Sequence, residues 1–378
     1  MPGLGETTAM LKRLRRGAQA TNVRAGARAR MLETRDVGPN PGGLRMLSYA
    51  PPGLAAGAPL VVVLHGCTQT GEAYAHHGGW LTLADRYGFA VLAPEQSPSN
   101  NPNRCFNWFS SADIVRGEGE AASIAAMTGQ ALADHDLDPE RVFVTGLSAG
   151  GAMTSVLLAS YPDLYAGGAI VAGLPYGVAT SVHEALQAMR RPDGRAAPEL
   201  GALVRGAAPL GGRIPRISIW HGDADPTVDA ANAEAIADQW AWTHGLATAP
   251  DETRALRGRT HEVWRAPGSE EVLIERHLIA GLGHGLPLAA GGADGIGSPA
   301  PYMLEAGVSA ALESLRFWGL APSALEGVEA EVAAPERGGH APEPAGVGGM
   351  VMASLAGHVP GPVQDVISKA LRRAGLMG

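Results

Sequence analysis

Arg141-Val-Phe-Val-Thr145-Gly146-Leu-Ser148-Ala-Gly150 is the stretch that decides the fold. Arg141 to Thr145 has the apolar, β-branched character of a buried strand, and Ala149 to Tyr161 reads as a helix that Pro162 breaks. The turn between them has the form G-x-S-x-G, in which small neighbours make room for a serine on a strained backbone. The following helix start turns NH groups and a positive dipole end toward the Ser148 oxygen. A serine that merely caps the helix is the alternative reading. Outward from this turn, Leu60-Val-Val-Val-Leu64 is a continuous apolar run, as expected of a strand covered on both faces. Phe89 to Ala93, Ala166 to Ala172, Arg216 to Trp220 and Glu271 to Ile279 read as further strands, with Leu44 to Ala50 as an edge strand. Helices are expected at Gly79 to Tyr87, Glu118 to His135 and Ala230 to Thr243, with a closing helix from Pro301 to Trp318. Strands alternating with helices predict an α/β fold with a doubly wound, mostly parallel sheet.

A long polar loop falls within that pattern, and 174–215 and 321–349 do not fit its rhythm. Residues 94–117 form a long polar loop rich in Pro, Asn and Ser. Residues 174–215 hold one helical stretch, Val182 to Met189, among many Gly and Pro, and are expected to form a cap-like insertion over a pocket.

The chain has 378 residues, of which 46% are hydrophobic and 17% charged, against about 25% charged in an average domain. This balance excludes a disordered chain, and no run approaches the ~18 apolar residues of a membrane span. A net charge of −8 offers no field for nucleic acid or an anionic bilayer. Two cysteines, Cys67 and Cys105, exclude a disulfide-dense scaffold and a cysteine-rich metal cluster. Arginines interrupt the few apolar residues near the N-terminus (Met10, Leu11, Leu14), so no secretory signal is read there and the cytoplasm is expected.

A serine hydroxyl needs an adjacent base, itself oriented by an acid. In a sheet of this kind those partners follow in the order Ser, Asp or Glu, His, on loops after later strands. His221-Gly-Asp-Ala-Asp225-Pro-Thr-Val follows Arg216 to Trp220, and Gly281-Leu-Gly-His284-Gly follows Ile279. Asp225 is preferred to Asp223 as the acid because the fifth residue of the stretch has left the strand and can turn back toward the sheet edge. Asp223 then caps the turn, and Asp229 suits the N-cap of the next helix. Ser148, Asp225 and His284 are therefore the candidate catalytic residues. Two NH donors must face the developing oxyanion. Ala149, after the nucleophile, supplies one, and the loop Leu64-His65-Gly66-Cys67 supplies the other through Cys67. His65 is read as a brace for that loop, and a thiol nucleophile at Cys67 as the weaker alternative. Trp108 and Trp220 are candidates for a substrate-groove wall, each also readable as a core aromatic. His65, His221 and His284 lack metal-ligand spacing, so neither metal nor other cofactor is expected.

LVVVLHGCTQT (60–70), NRCFNWF (103–109), GLSAGGAM (146–153), WHGDADPTV (220–228) and GLGHG (281–285) together resemble the poly(3-hydroxybutyrate) depolymerase-type esterases. These are α/β-hydrolases that include feruloyl and acetylxylan esterase-like members. The resemblance spans roughly residues 40–318. It implies a Ser-His-Asp carboxylic ester hydrolase, with Ser148, Asp225 and His284 as its triad and a hydroxyalkanoate polymer or oligomer as substrate. A feruloyl, acetylxylan or general short-chain esterase is the alternative, and a noncatalytic granule-binding protein the alternative of another class. Cys67 and Cys105, on loops after adjacent strands and flanking these motifs, are expected to form a disulfide. The domain plan that follows is a basic N-terminal arm (1–39), a catalytic domain (40–320), an Ala/Pro/Gly linker (321–349) and a C-terminal amphipathic helix (350–378). In that helix Val363, Val366, Ile367, Ala370 and Leu371 share one face, to be covered by the parent domain, a second subunit or a polymer surface.

Overall fold

The computed structural model describes residues 30–192, 194–207, 213–291 and 295–323. The linker beyond residue 323, the C-terminal helix and the first 29 residues of the arm lie outside them. Among the described residues no helix is long and apolar enough to cross a membrane.

Among the described residues ten strands form one sheet: β1 (Leu32–Thr34), β2 (Arg45–Tyr49), β3 (Leu60–Leu64), β4 (Ala90–Glu95), β5 (Val142–Leu147), β6 (Gly167–Val171), β7 (Arg216–Gly222), β8 (Glu252–Leu256), β9 (Arg259–Arg265) and β10 (Val272–Ile279). Their spatial order is β1-β2-β4-β3-β5-β6-β7-β10-β9-β8. The run from β4 to β10 is parallel throughout, and both flanks are antiparallel. Period-two alternation divides the core. Leu60, Val62 and Leu64 point to one apolar cluster, and Val61 and Val63 to the other. Parallel strands buried on both faces read as near-continuous apolar runs, and Leu60–Leu64 has no polar residue.

One face is covered by α4 (Gly119–Asp134), α5 (Ala149–Ser160), α7 (Ala197–Ala207) and α8 (Ala231–His244), whose buried side chains join the first cluster. The other carries α1 (Gly71–His77), α2 (Trp80–Tyr87) and α9 (Ala310–Phe317). Trp318 stacks on Phe143 at 4.9 Å and seats the last helix on the sheet. Among the described residues two further short helices are α3 (Ser111–Ile114) and α6 (Val182–Arg190). Residues 174–215 thus contain α6 and α7; α7 packs on α8, and α6 brings Met189 to the catalytic face.

Several boundaries differ from the sequence reading. β2 is not an edge, because Leu32–Thr34 pairs with it and carries the sheet into the segment read as an arm. The hairpin β8–β9 is absent from that reading: its alternation is masked by charged residues on both faces of a half-exposed edge. The closing helix is shorter than read. Met303–Glu305 instead forms β12, parallel to β11 (Leu286–Leu288), and a left-handed Gly307 and the Ser309 cap set the helix start at Ala310.

His244 ends α8, facing the Pro215 carbonyl at 3.0 Å, and burial pushes its ring down to about 4. The unfolded chain binds that proton near pH 6.5. Stability from this group is therefore full above about pH 6.5 and falls by about 3 kcal/mol as the pH drops to 4. Melting temperatures between pH 7.5 and 4.5 should decline, and less steeply in His244→Gln; parallel curves for the two proteins would refute this.

Candidate active site

The parallel strands β3, β5, β7 and β10 deliver their C-terminal loops to one edge, the usual position for a ligand site in an open α/β sheet. Ser148 stands between β5 and α5 at φ 58° and ψ −117°, a left-handed strain for a non-glycine residue. The flanking glycines make this turn sterically feasible. A Cβ on Gly146 would lie 2.4 Å from the Gly150 carbonyl oxygen, and one on Gly150 2.2 Å from that of Leu64. The Ser148 NH is held by Val171 at 2.9 Å, and its carbonyl accepts from Ala152 at 2.8 Å.

His284 reaches the serine from the loop after β10. Ser148 Oγ–H donates to His284 Nε2 at 2.9 Å, and His284 Nδ1–H donates to Asp225 Oδ2 at 2.7 Å. That tautomer follows from the ionised carboxylate, which can only accept. Asp225 Oδ1 accepts from the NH groups of Thr227 (2.8 Å) and Val228 (3.0 Å). Burial alone would raise this carboxyl; hydrogen bonding to His221, His284 and the Val228 NH outweighs it and holds the group well below the usual carboxylate range. His221 is buried, donates through Nε2 to the Val228 carbonyl at 3.0 Å, and lies 3.4 Å from Asp225 Oδ2. It fixes the turn that presents the acid.

Asp223 does other work. Its Oδ1 accepts from the Gly281 NH at 2.7 Å, which ties the loop of Asp225 to the loop of His284. The loops meet closely, for a Cβ on Gly222 would stand 2.2 Å from the Leu282 carbonyl oxygen. Asp229 accepts from the Ala231 NH at 2.9 Å at the start of α8.

Cys67 and Ala149 flank the serine, and the backbone NH of each has no hydrogen-bond partner among the described residues. Three ties shape the Cys67 loop. Gly66 NH donates to Gln69 Oε1 at 2.8 Å, and Gln69 in turn donates to the Pro301 carbonyl at 3.1 Å. The buried His65 accepts from the Gln96 NH at 3.1 Å through Nε2 and donates through Nδ1 to the Gly66 carbonyl at 2.8 Å. A disulfide joins Cys67 to Cys105, closing a separation of 38 residues. Opening it should cost about 4 kcal/mol of chain-entropy stabilisation and loosen the Cys67 NH. Reduction, or Cys105→Ser, is expected to lower kcat about tenfold or more, toward the 10²–10³ cost of losing one oxyanion donor. An unchanged kcat with a lowered melting temperature would show the bond to be purely structural.

A cavity of about 140 Å³ opens in front of the serine, lined by Cys67, Ser148 and His284 together with Met189, Thr227 and Tyr302. The last three escaped the sequence reading. Tyr302, edge-on to His284 with ring centroids 6.0 Å apart, lies in the stretch assigned to the closing helix, Met189 lies in no motif, and Thr227 sits within WHGDADPTV without being singled out. Both tryptophans fall elsewhere. Trp108 is only 6% exposed and packs in the core edge-to-face with Phe109, and Trp220 is fully buried, stacked on His277 at 3.7 Å. Neither lines this cavity, because the loop of Trp108 turns inward and Trp220 points into the sheet face. Among the described residues, three metal-competent side chains come together at His261, Glu275 and His277, on β9 and β10 rather than in the cavity.

A nucleophile elbow on a doubly wound sheet, followed by carboxylate and imidazole on the loops of later strands, defines a serine ester hydrolase of α/β-hydrolase fold. Residues 44–264 match the family described as esterase PHB depolymerase, and the chain belongs to that family. It is 42% identical over 292 residues to poly(3-hydroxyalkanoate) depolymerase C of Paucimonas lemoignei, covering 77% of this chain and 70% of that protein. An acetylxylan esterase of Coprinopsis cinerea is 34% identical over 277 residues, covering 72% of each. Among solved structures, an acetyl xylan esterase from Aspergillus awamori superposes with a TM-score of 0.66 at 26% identity, over 78% of this chain and all of that one.

Proposed function

We propose that this carboxylic ester hydrolase cleaves hydroxyalkanoate polyester or its oligomers through an acyl-enzyme intermediate. The observation that carries the reading is the unbroken chain from Ser148 Oγ through His284 to Asp225 at the mouth of a small cavity. Ser148 attacks the ester carbonyl while His284 takes its proton. The oxyanion forms against the Cys67 and Ala149 NH groups, and the imidazolium stays paired with Asp225. His284 then protonates the departing alcohol, and water admitted to the same position releases the acid and restores Ser148.

Three features support a short hydroxyacyl substrate. The relative with 42% identity is named for poly(3-hydroxyalkanoate). A cavity of about 140 Å³ is small beside the 300 Å³ or more of drug-sized ligand sites, so it suits a compact acyl unit better than a feruloyl group. The third is on α6, where Leu186 and Val182 stand exposed one and two turns from Met189, an apolar strip suited to a polyester chain. The acetylxylan esterase relatives favour a second reading, deacetylation of a polysaccharide. Hydroxybutyrate oligomers, acetylated xylan, methyl ferulate and p-nitrophenyl butyrate, assayed side by side, decide between them. Highest kcat/KM on the oligomers supports the proposal, and highest kcat/KM on acetylated xylan replaces it. The Cys67–Cys105 bond, which a reducing cytoplasm disfavours, supports an oxidising compartment over the cytoplasmic expectation.

A further inference from the structure

On the antiparallel side of the sheet, His261 and His277 are directly paired across β9 and β10. Glu275, two residues before His277, shares that face of the sheet. Its Oε2 lies 3.4 Å from His261 Nε2 and 3.4 Å from His277 Nε2, and all three atoms fall within 4.8 Å of one another. Each Nε2 meets the Glu275 carboxylate at ion-pair distance without an aligned hydrogen bond, although His277 is 2% exposed and Glu275 7%. Buried polar atoms in folded proteins are nearly always satisfied, so paired imidazole nitrogens left this way beside a buried carboxylate ask for a ligand.

We propose that His261 Nε2, Glu275 Oε2 and His277 Nε2 form a binding site for a divalent transition-metal ion, with zinc the best fit. Two imidazoles and one carboxylate are a borderline donor set, suited to zinc; calcium and magnesium would need oxygens throughout. The spacing agrees. Ligands 2.0–2.1 Å from a tetrahedral zinc stand about 3.4 Å apart, which is the separation of Glu275 Oε2 from each imidazole nitrogen. The carboxylate is already oriented, because Ser218 Oγ–H donates to its Oε1 at 2.7 Å and Trp220 Nε1–H donates to Ser218 Oγ at 2.8 Å. Metal-ligating carboxylates are commonly held by such an outer partner. The inner ring is fixed too, since His277 lies between Trp220 (3.7 Å) and His261 (4.3 Å) in a nearly parallel stack. Closure on one ion needs the outer ring to tilt out of that stack, and the His261 side chain, 21% exposed, has solvent to tilt into. Arg259, whose guanidinium stands 5.9 Å from the Trp220 ring centre, adds a positive charge nearby that limits the affinity.

The role assigned to the ion is structural. It would clamp β9 to β10 beside β7, and the loops leaving β7 and β10 carry Asp225 and His284. The test is zinc uptake by the full chain, measured by equilibrium dialysis and elemental analysis. A His284→Ala background removes any binding at the catalytic imidazole. One zinc per chain is expected, with a rise in melting temperature of about 5 °C when zinc is near 100-fold above its Kd. His261→Ala and Glu275→Gln should each abolish uptake, Ser218→Ala should weaken it about tenfold, and the exposed control His183→Ala should leave it unchanged. A zinc-soaked crystal should show an anomalous peak among the three ligand atoms. Equal uptake by wild type, His261→Ala and Glu275→Gln, or an anomalous peak elsewhere only, overturns the proposal. Should Glu275→Gln fail to fold, the partly exposed His261 variant and the crystal still decide.

Discussion

Ser148→Ala and His284→Ala each lower ester hydrolysis by about 10⁴-fold or more, while both proteins keep the circular dichroism and melting behaviour of the wild type. The loss is large because hydroxyl and imidazole act as one unit: without the base the hydroxyl is not a nucleophile, and without the hydroxyl the base has only water to activate. The fold is expected to survive because neither side chain supports the core. Ser148 holds its turn through its backbone, bonded to Val171 and Ala152, and His284 sits on a loop flanked by glycines. The double variant should be no worse than either single one. A serine-directed phosphonate should label the wild type once, at Ser148, and leave Ser148→Ala unlabelled. Residual activity within tenfold of wild type in either variant would mean that another group carries the reaction.

Asp225→Asn is the second large effect, with an expected loss in kcat of about 10⁴-fold. The amide can still meet the Thr227 and Val228 NH groups through its oxygen, so the turn persists. What is lost is the charge facing His284 Nδ1–H, and with it the tautomer that leaves Nε2 free to accept from Ser148. Asp223→Asn is expected to be mild. Its side-chain bond across the loops, to Gly281 NH, can be kept by the amide oxygen, so kcat should stay within about tenfold. The reverse ranking would reassign the acid. The pH profile adds a check: hydrogen bonding holds the Asp225 carboxyl far below its ordinary range, so the acid limb of kcat/KM cannot be its titration, and Asp225→Glu should leave that limb in place.

Much of this protein is legible along the chain. The apolar runs Leu60 to Leu64 and Val142 to Val144 announce strands covered on both faces, because such strands lack polar alternation. The small residues around Ser148 announce the elbow because its geometry admits no others, as the 2.2 Å and 2.4 Å approaches at Gly150 and Gly146 now explain. The candidates Asp225 and His284 are legible for a related reason: topology orders the loops at the sheet edge, so position after a strand is itself a statement about space. The comparison with known esterases adds the family and leaves the roles of individual residues to the variants above.

Other features depend on which segments meet, and local pattern carries no record of that. The charged hairpin Glu252 to Arg265 and the short strand Met303 to Glu305 are strands only because neighbours accept their hydrogen bonds. Trp108 and Trp220 are readable in sequence as a substrate wall or as core, and the structure buries both, since an aromatic's direction is set by the packing around its loop or strand. Tyr302 and Met189 reach the cavity from segments far from any motif. His261 and His277 show the limit most plainly. Sixteen residues apart, they have no metal-ligand spacing in the sequence, and the antiparallel register of β9 on β10 alone sets their nitrogens around one carboxylate. The sequence by itself determined the buried parallel strands, the elbow and the order of the catalytic loops, because those follow from burial and sterics within a few residues. Tertiary structure alone decided what lines the cavity and what faces Glu275, because those contacts join segments that no local interaction brings together.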